Sequence, residues 1–175
     1  MIGGWPARML ATALLALIAA GCASLPQDMP SLGGRLSLQV AAHAGSPAHG
    51  VNAAFELRGN AESGTLNLST PLGPQFAVAR WTPAEVLLRS AEGERRFASL
   101  AELSVELLGE KLPLQALPDW LRGRHWPGAV HTPSEVGFEQ LGWRLDLSRR
   151  GQGFVTATRE AAPKVSLRVR LDEGP

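Results

Sequence analysis

Residues 164–171 read Lys164-Val165-Ser166-Leu167-Arg168-Val169-Arg170-Leu171. Successive side chains of an extended chain point to opposite faces. Val165, Leu167, Val169 and Leu171 therefore share one face, and Lys164, Ser166, Arg168 and Arg170 share the other. A strand that is dry on one side and wet on the other belongs to an antiparallel sheet with one solvated face.

The same period runs through most of the chain. Residues 35–41 set Leu36, Leu38 and Val40 on one face, residues 51–58 set Ala53, Phe55 and Leu57, and residues 65–69 set Leu66 and Leu68. Strand-like segments follow at 75–81 and 85–90, joined by Thr82-Pro83-Ala84, and Glu92-Gly93 turns the chain into 94–98. Upstream of the quoted stretch, 136–141, 143–148 and 154–159 alternate too, separated by Gly142 and Gly151-Gln152-Gly153. Short strands with polar turns between them form an antiparallel meander.

The period changes once. Residues 99–108 place Leu100, Leu103, Leu107 and Leu108 at helical spacing, with Ser99 as N-cap, Glu102 three residues on, and Gly109 as the stop. A second short helix is expected over 114–121, interrupted or restarted at Pro118 and ended by Gly123, with 124–133 as loop. A single twisted sheet of about ten or eleven strands curls or splits in two. Curled, it is an incomplete, half-open antiparallel β-barrel with a helical lid and an apolar cavity. Split, it is a filled sandwich. Periodicity does not choose between them.

The first residues read as an export signal. Arg8 supplies a positive start, residues 9–20 are apolar, and Ala19-Ala20-Gly21 precede Cys22. The apolar run is too short to span a bilayer comfortably. Ala19-Ala20-Gly21-Cys22 resembles the lipobox of bacterial lipoproteins, with Ala19 where Leu is usual. Its thiol would carry a diacylglyceryl group, and each buried methylene contributes roughly 0.8 kcal/mol to anchoring. A secretory cut nearby, leaving Cys22 as a stray thiol, is the other reading. The expected organisation is a signal peptide over residues 1–21, a lipidated and flexible tether over 22–33, and one domain over 34–175. Cys22 is the only cysteine, which excludes an internal disulfide and any cysteine-based zinc site. Removing Arg8 with the signal leaves 16 basic side chains against 16 acidic ones, so nothing marks a nucleic-acid partner.

Nothing marks an enzyme either. His43, His49, His125 and His131 fall in expected loops, and the chain holds neither HExxH nor GxSxG. Gly151-Gln152-Gly153 opens no helix, so it is no dinucleotide loop. No catalytic residue, metal site or cofactor is expected.

The order of motifs resembles the LolB family, outer-membrane receptors of the lipoprotein localisation pathway. The matching pieces are Gly34-Arg35-Leu36, Phe55-Glu56-Leu57, and Leu66-Asn67-Leu68-Ser69-Thr70-Pro71-Leu72-Gly73. Gly109 to Pro113, Leu117-Pro118-Asp119-Trp120-Leu121-Arg122-Gly123 and Gln140-Leu141-Gly142-Trp143-Arg144-Leu145 complete them. Leu57 departs from the pattern, since many members carry Trp there. The resemblance implies an incomplete β-barrel that holds acyl chains under helices, and a loop at Pro71, Leu72 and Gly73 whose Leu enters the membrane. The competing possibility is that Leu72 packs back under its own turn. The implied partners are a LolA-like periplasmic carrier, acylated lipoprotein cargo and outer-membrane lipid, with the chain acting as a monomer. Ala23, rather than Asp, after Cys22 points to the inner face of the outer membrane in bacteria related to the enteric ones. Leu36, Leu38, Phe55, Leu57, Leu66, Leu68, Trp120, Trp143 and Leu145 are the expected acyl-chain cavity. A structural lipoprotein with a filled core, or a module for another apolar ligand, remain the alternatives.

Overall fold

The computed structural model describes residues 30–172. The expected signal peptide, Cys22 and the tether up to Met29 lie outside the described residues.

The alternating segments become eleven strands of one sheet. In chain order they are β1 Leu32–Val40, β2 His49–Gly59, β3 Gly64–Ser69, β4 Gln75–Trp81, β5 Val86–Ser90 and β6 Gly93–Phe97. After the helices come β7 His131–Ser134, β8 Gly137–Gln140, β9 Trp143–Asp146, β10 Phe154–Arg159 and β11 Val165–Leu171. Their order across the sheet is β6-β5-β4-β3-β2-β1-β11-β10-β9-β8-β7, antiparallel throughout. Two meanders are thus zipped together by β1 and β11, which pair from Gly34 opposite Leu171 to Val40 opposite Val165. The sheet does not close: β6 and β7 are its free edges, and the helical segment runs between them. This is the half-open barrel with a helical lid that the periodicity allowed.

The chain joins the sheet earlier than expected. Leu32 and Gly33 already pair with Leu57 and Glu56, so β1 begins inside the stretch read as tether. At Gly34 the backbone of β11 comes so near that a Cβ would run into the Arg170 carbonyl, which makes glycine the residue that lets the two halves meet. His49 and Gly50 open β2 instead of lying in the preceding loop, and His131 lies in β7. β7 was missed because its sequence, His131-Thr132-Pro133-Ser134, has no apolar alternation. As an edge strand it buries nothing and tolerates a proline.

The first helix, α1, spans Leu100–Leu108. The Ser99 side chain accepts the Glu102 amide at 3.2 Å, and the Glu102 carboxylate accepts the Ala98 amide at 3.1 Å, one residue before the usual capping-box partner. Gly109 ends the helix with φ 74°, its amide donating to the Val105 carbonyl at 2.8 Å. The second helix, α2, is shorter than the expected segment and spans Leu117–Leu121, with Pro118 in its first turn. Leu114 to Ala116 instead form turns closed by Ala116 donating to Pro113.

Candidate functional site

All nine residues expected to line the cavity are buried, each less than a tenth exposed. Leu36, Leu38, Phe55, Leu66 and Leu68 face the lid leucines across one apolar cleft. The opposite wall comes from Leu108, Leu112, Leu114, Leu117 and Leu121, and Leu167 and Val169 complete the floor. Leu145 and Trp120 lie deeper, where α2 rests on β9 to β11. Leu57 and Trp143 belong to the same core but do not reach the cleft. Trp143 packs at a tilt against Trp120, ring centroids 6.3 Å apart. The cleft is apolar, as its leucines dictate, but its open volume is only about 10 Å³. That is at most one water. The lid leucines fill the space between helices and sheet.

Polar contacts hold the lid down. Gln140, 2% exposed, has both halves of its amide occupied. Its Oε1 accepts from Trp120 Nε1 at 2.8 Å and from the Trp126 amide at 3.0 Å, while its Nε2 donates to the Trp126 and Ala129 carbonyls at 2.7 and 2.8 Å. Ser104, fully buried on α1, donates to the Ala101 carbonyl and accepts the Leu112 amide at 3.0 Å, fixing where the chain leaves the helix. Glu110 and Arg159 form a largely buried ion pair at 3.1 Å between the end of α1 and β10. Arg150 Nε donates to the Leu121 carbonyl at 3.0 Å. Two of the four histidines expected in loops pack together here: His125 and His131 stack at 3.7 Å, and both meet Phe138 edge-on.

The loop between β3 and β4 is the opposite case. Thr70 and Gly73 close a tight turn, with the Gly73 amide donating to the Thr70 carbonyl at 3.2 Å and the Thr70 amide to Pro74 at 3.3 Å. Leu72 stands at its tip, 97% exposed, so it does not pack back under the turn. Phe76, where the loop rejoins the sheet, is 38% exposed. Most of a protein's exposed apolar area is scattered and unremarkable, but a whole leucine held out on a proline-glycine turn keeps nearly all its apolar surface in water.

Sequence comparison agrees with the fold. The model of the family described as "Outer membrane lipoprotein LolB" matches residues 31–171. The chain belongs to the LolB family. Among LolB proteins it is 34% identical to the outer-membrane lipoprotein LolB of Bordetella pertussis, over 78% of this chain and 75% of that protein. It is 35% identical to the LolB of Halorhodospira halophila, over 83% of this chain and 82% of that protein. Against the LolB of Bordetella petrii the identity is 31%, over 98% of this chain and 93% of that protein. Among the described residues no helix is long and apolar enough to cross a membrane.

Proposed function

We propose that this LolB-family chain is anchored to the periplasmic face of the outer membrane through an acylated Cys22. There it receives acylated lipoproteins from a LolA-like carrier and inserts them into that membrane. The observation that carries the reading is the cleft between an unclosed sheet and a lid that bridges its two edges, walled by leucines and valine alone apart from Phe55. An acyl chain gains roughly 0.8 kcal/mol for each methylene taken out of water, so transfer needs only a sequence of progressively drier sites and no covalent step. A cleft of about 10 Å³ does not hold such a chain as it stands. The lid therefore swings away from β1, β2, β3 and β11 when cargo enters, exchanging leucine–leucine contacts for leucine–acyl contacts of the same kind. Leu72 then leads the cargo into the bilayer.

The test is a handover experiment with the chain freed of its leader and carrying Cys22→Ala; among the described residues its core lies between Leu32 and Leu171. This variant is expected to stay in solution and to take cargo from a loaded carrier, followed by co-purification. Cargo that stays on the carrier beside a folded domain would send the function to a structural lipoprotein or a module for another apolar ligand. A Cys22→Ala chain expressed with its leader intact that is still acylated would reject the anchor.

A further inference from the structure

The polar face of the sheet gathers positive charge where the two halves meet. In the register of β1 and β11, Arg35 stands directly opposite Arg170, and Arg168 stands opposite Ser37 two residues on. Like charges directly opposite one another on neighbouring strands are destabilising, so this pairing works against the fold that contains it. Arg149, in the connection between β9 and β10, joins them: its guanidinium lies 4.5 Å from the centre of the Phe154 ring, and that of Arg170 lies 5.9 Å from the same ring.

Among the described residues, Arg35, Arg149, Arg168 and Arg170 have no carboxylate within ion-pair distance, nor do Arg80, Arg122 and Arg150 elsewhere, whereas the other seven arginines do. What sets these four apart is that they line one groove. The arginines line a groove of about 640 Å³ with one acid, Asp146. That carboxyl is kept below its usual range by hydrogen bonds from Ser148, with a smaller contribution from Arg149. Arg35 and Arg170 also line a second groove, which holds Pro30, Arg150 and Asp172.

Two neighbours of this patch indicate what covers it. Pro71 lines the first groove, so the turn that holds out Leu72 forms its rim. Pro30 lines the second, so the chain joins the domain beside the same arginines. Cys22 lies eight residue steps before Pro30, a reach of roughly 29 Å at full extension. Cations beside an exposed leucine match the two layers of a lipid interface, phosphate outside and hydrocarbon within.

We propose that Arg35, Arg149, Arg168 and Arg170 dock the outer face of the sheet on anionic phospholipid headgroups of the anchoring membrane, and so aim the Leu72 loop at the bilayer. The proposal rests on the acylated Cys22 for its tether but not on any handover of cargo.

It is tested on the full lipidated protein in vesicles, with acylation verified by mass and a fluorophore at Asn52→Cys in the first groove. Quenching by a headgroup-borne quencher reports docking. Docking is expected on phosphatidylcholine mixed with phosphatidylglycerol, to weaken on phosphatidylcholine alone, and to be lost in high salt. Changing Arg35, Arg168 and Arg170 together to Gln lowers the ratio of docked to undocked protein by about a hundredfold. Arg89→Gln, which removes an ion-paired arginine, leaves the ratio unchanged. The triple variant is expected to unfold no earlier than the parent, since it relieves a like-charge pair. Quenching indifferent to lipid charge, or a triple variant that docks as well as the parent, overturns the proposal. A triple variant that docks normally here yet takes cargo poorly in the separate handover experiment gives the patch to an acidic protein partner instead, which also overturns it. The assay contains neither carrier nor cargo, so a failed handover and a failed docking are separate results. Should the chain prove unacylated, flotation of the same variants with the same vesicles decides the question.

Discussion

Leucines occupy two opposed settings in this molecule. Between sheet and lid, Leu38, Leu68, Leu103 and Leu121 are all but inaccessible, all part of one apolar core. At the tip of the β3–β4 turn, Leu72 touches almost nothing and is 97% exposed. The residue type is the same and the solvent is what differs. Buried leucines stabilise the fold by about 1.5–3 kcal/mol each, while Leu72 contributes nothing measurable to it. If each setting has its own task, stability and delivery are separable, and substitutions divide accordingly.

The largest expected loss of stability comes from Trp120→Ala. It empties the site where α2 rests on the sheet and is expected to cost about 3–5 kcal/mol, read from denaturant unfolding. Gln140→Leu comes next. It fills the same space but leaves the Trp120 and Trp126 N–H groups and two carbonyls without their partner, and about 1–3 kcal/mol for each group that stays dry sets the scale. Amide exchange in residues 117–130 is expected to rise more than in β1 or β11. Glu110→Ala is expected to cost about 1–2 kcal/mol by taking the only carboxylate from Arg159, which keeps the Lys111 and Pro163 carbonyls but whose Nε already lacks a partner. Under the swinging-lid reading it also speeds uptake of an acyl fluorophore, and unchanged uptake would mean that this ion pair does not restrain the lid. Leu72→Glu is the smallest in stability, within about 0.5 kcal/mol. It is nonetheless expected to abolish insertion of cargo into vesicles while leaving uptake from the carrier intact, since a carboxylate resists leaving water. A variant that inserts cargo normally would remove Leu72 from delivery and undo the separation.

Legibility in the sequence followed the same division between local and distant causes. The strands of the core could be read because period-two alternation is local: Leu36, Leu38, Leu167 and Val169 need no partner to declare their face. Ser99, Glu102 and Gly109 marked α1 for the same reason. β7 was invisible because an exposed edge strand has nothing to alternate. Leu112 and Leu114 were missed as cleft residues because they flank Pro113 outside any helix and carry no period. The lid contacts of Gln140 and Ser104 were beyond reach, since a buried polar side chain is recognised only by partners eight to twenty residues away. The arginine patch is a product of register between β1 and β11, and nothing in either strand alone sets Arg35 against Arg170. Leu72 was singled out by family resemblance, and its exposure is a property of the folded turn.

The pairing of β1 with β11 has a consequence for how the chain is made. The first strand finds β2 at once, across a short hairpin, but its other side waits for the last strand to be synthesised. Seven rungs of that ladder close a loop spanning nearly the entire domain, and such long-range closure is the slow part of folding a β protein. Until it forms, two neighbouring strands with dry faces have open backbone edges, the condition in which sheets pair with strangers. The charges on and just before β11, Arg168, Arg170 and Lys164, sit where they discourage that mispairing while the strand is unaccompanied. The same arginines that crowd one another in the finished sheet thus keep its last strand apart from others until it docks.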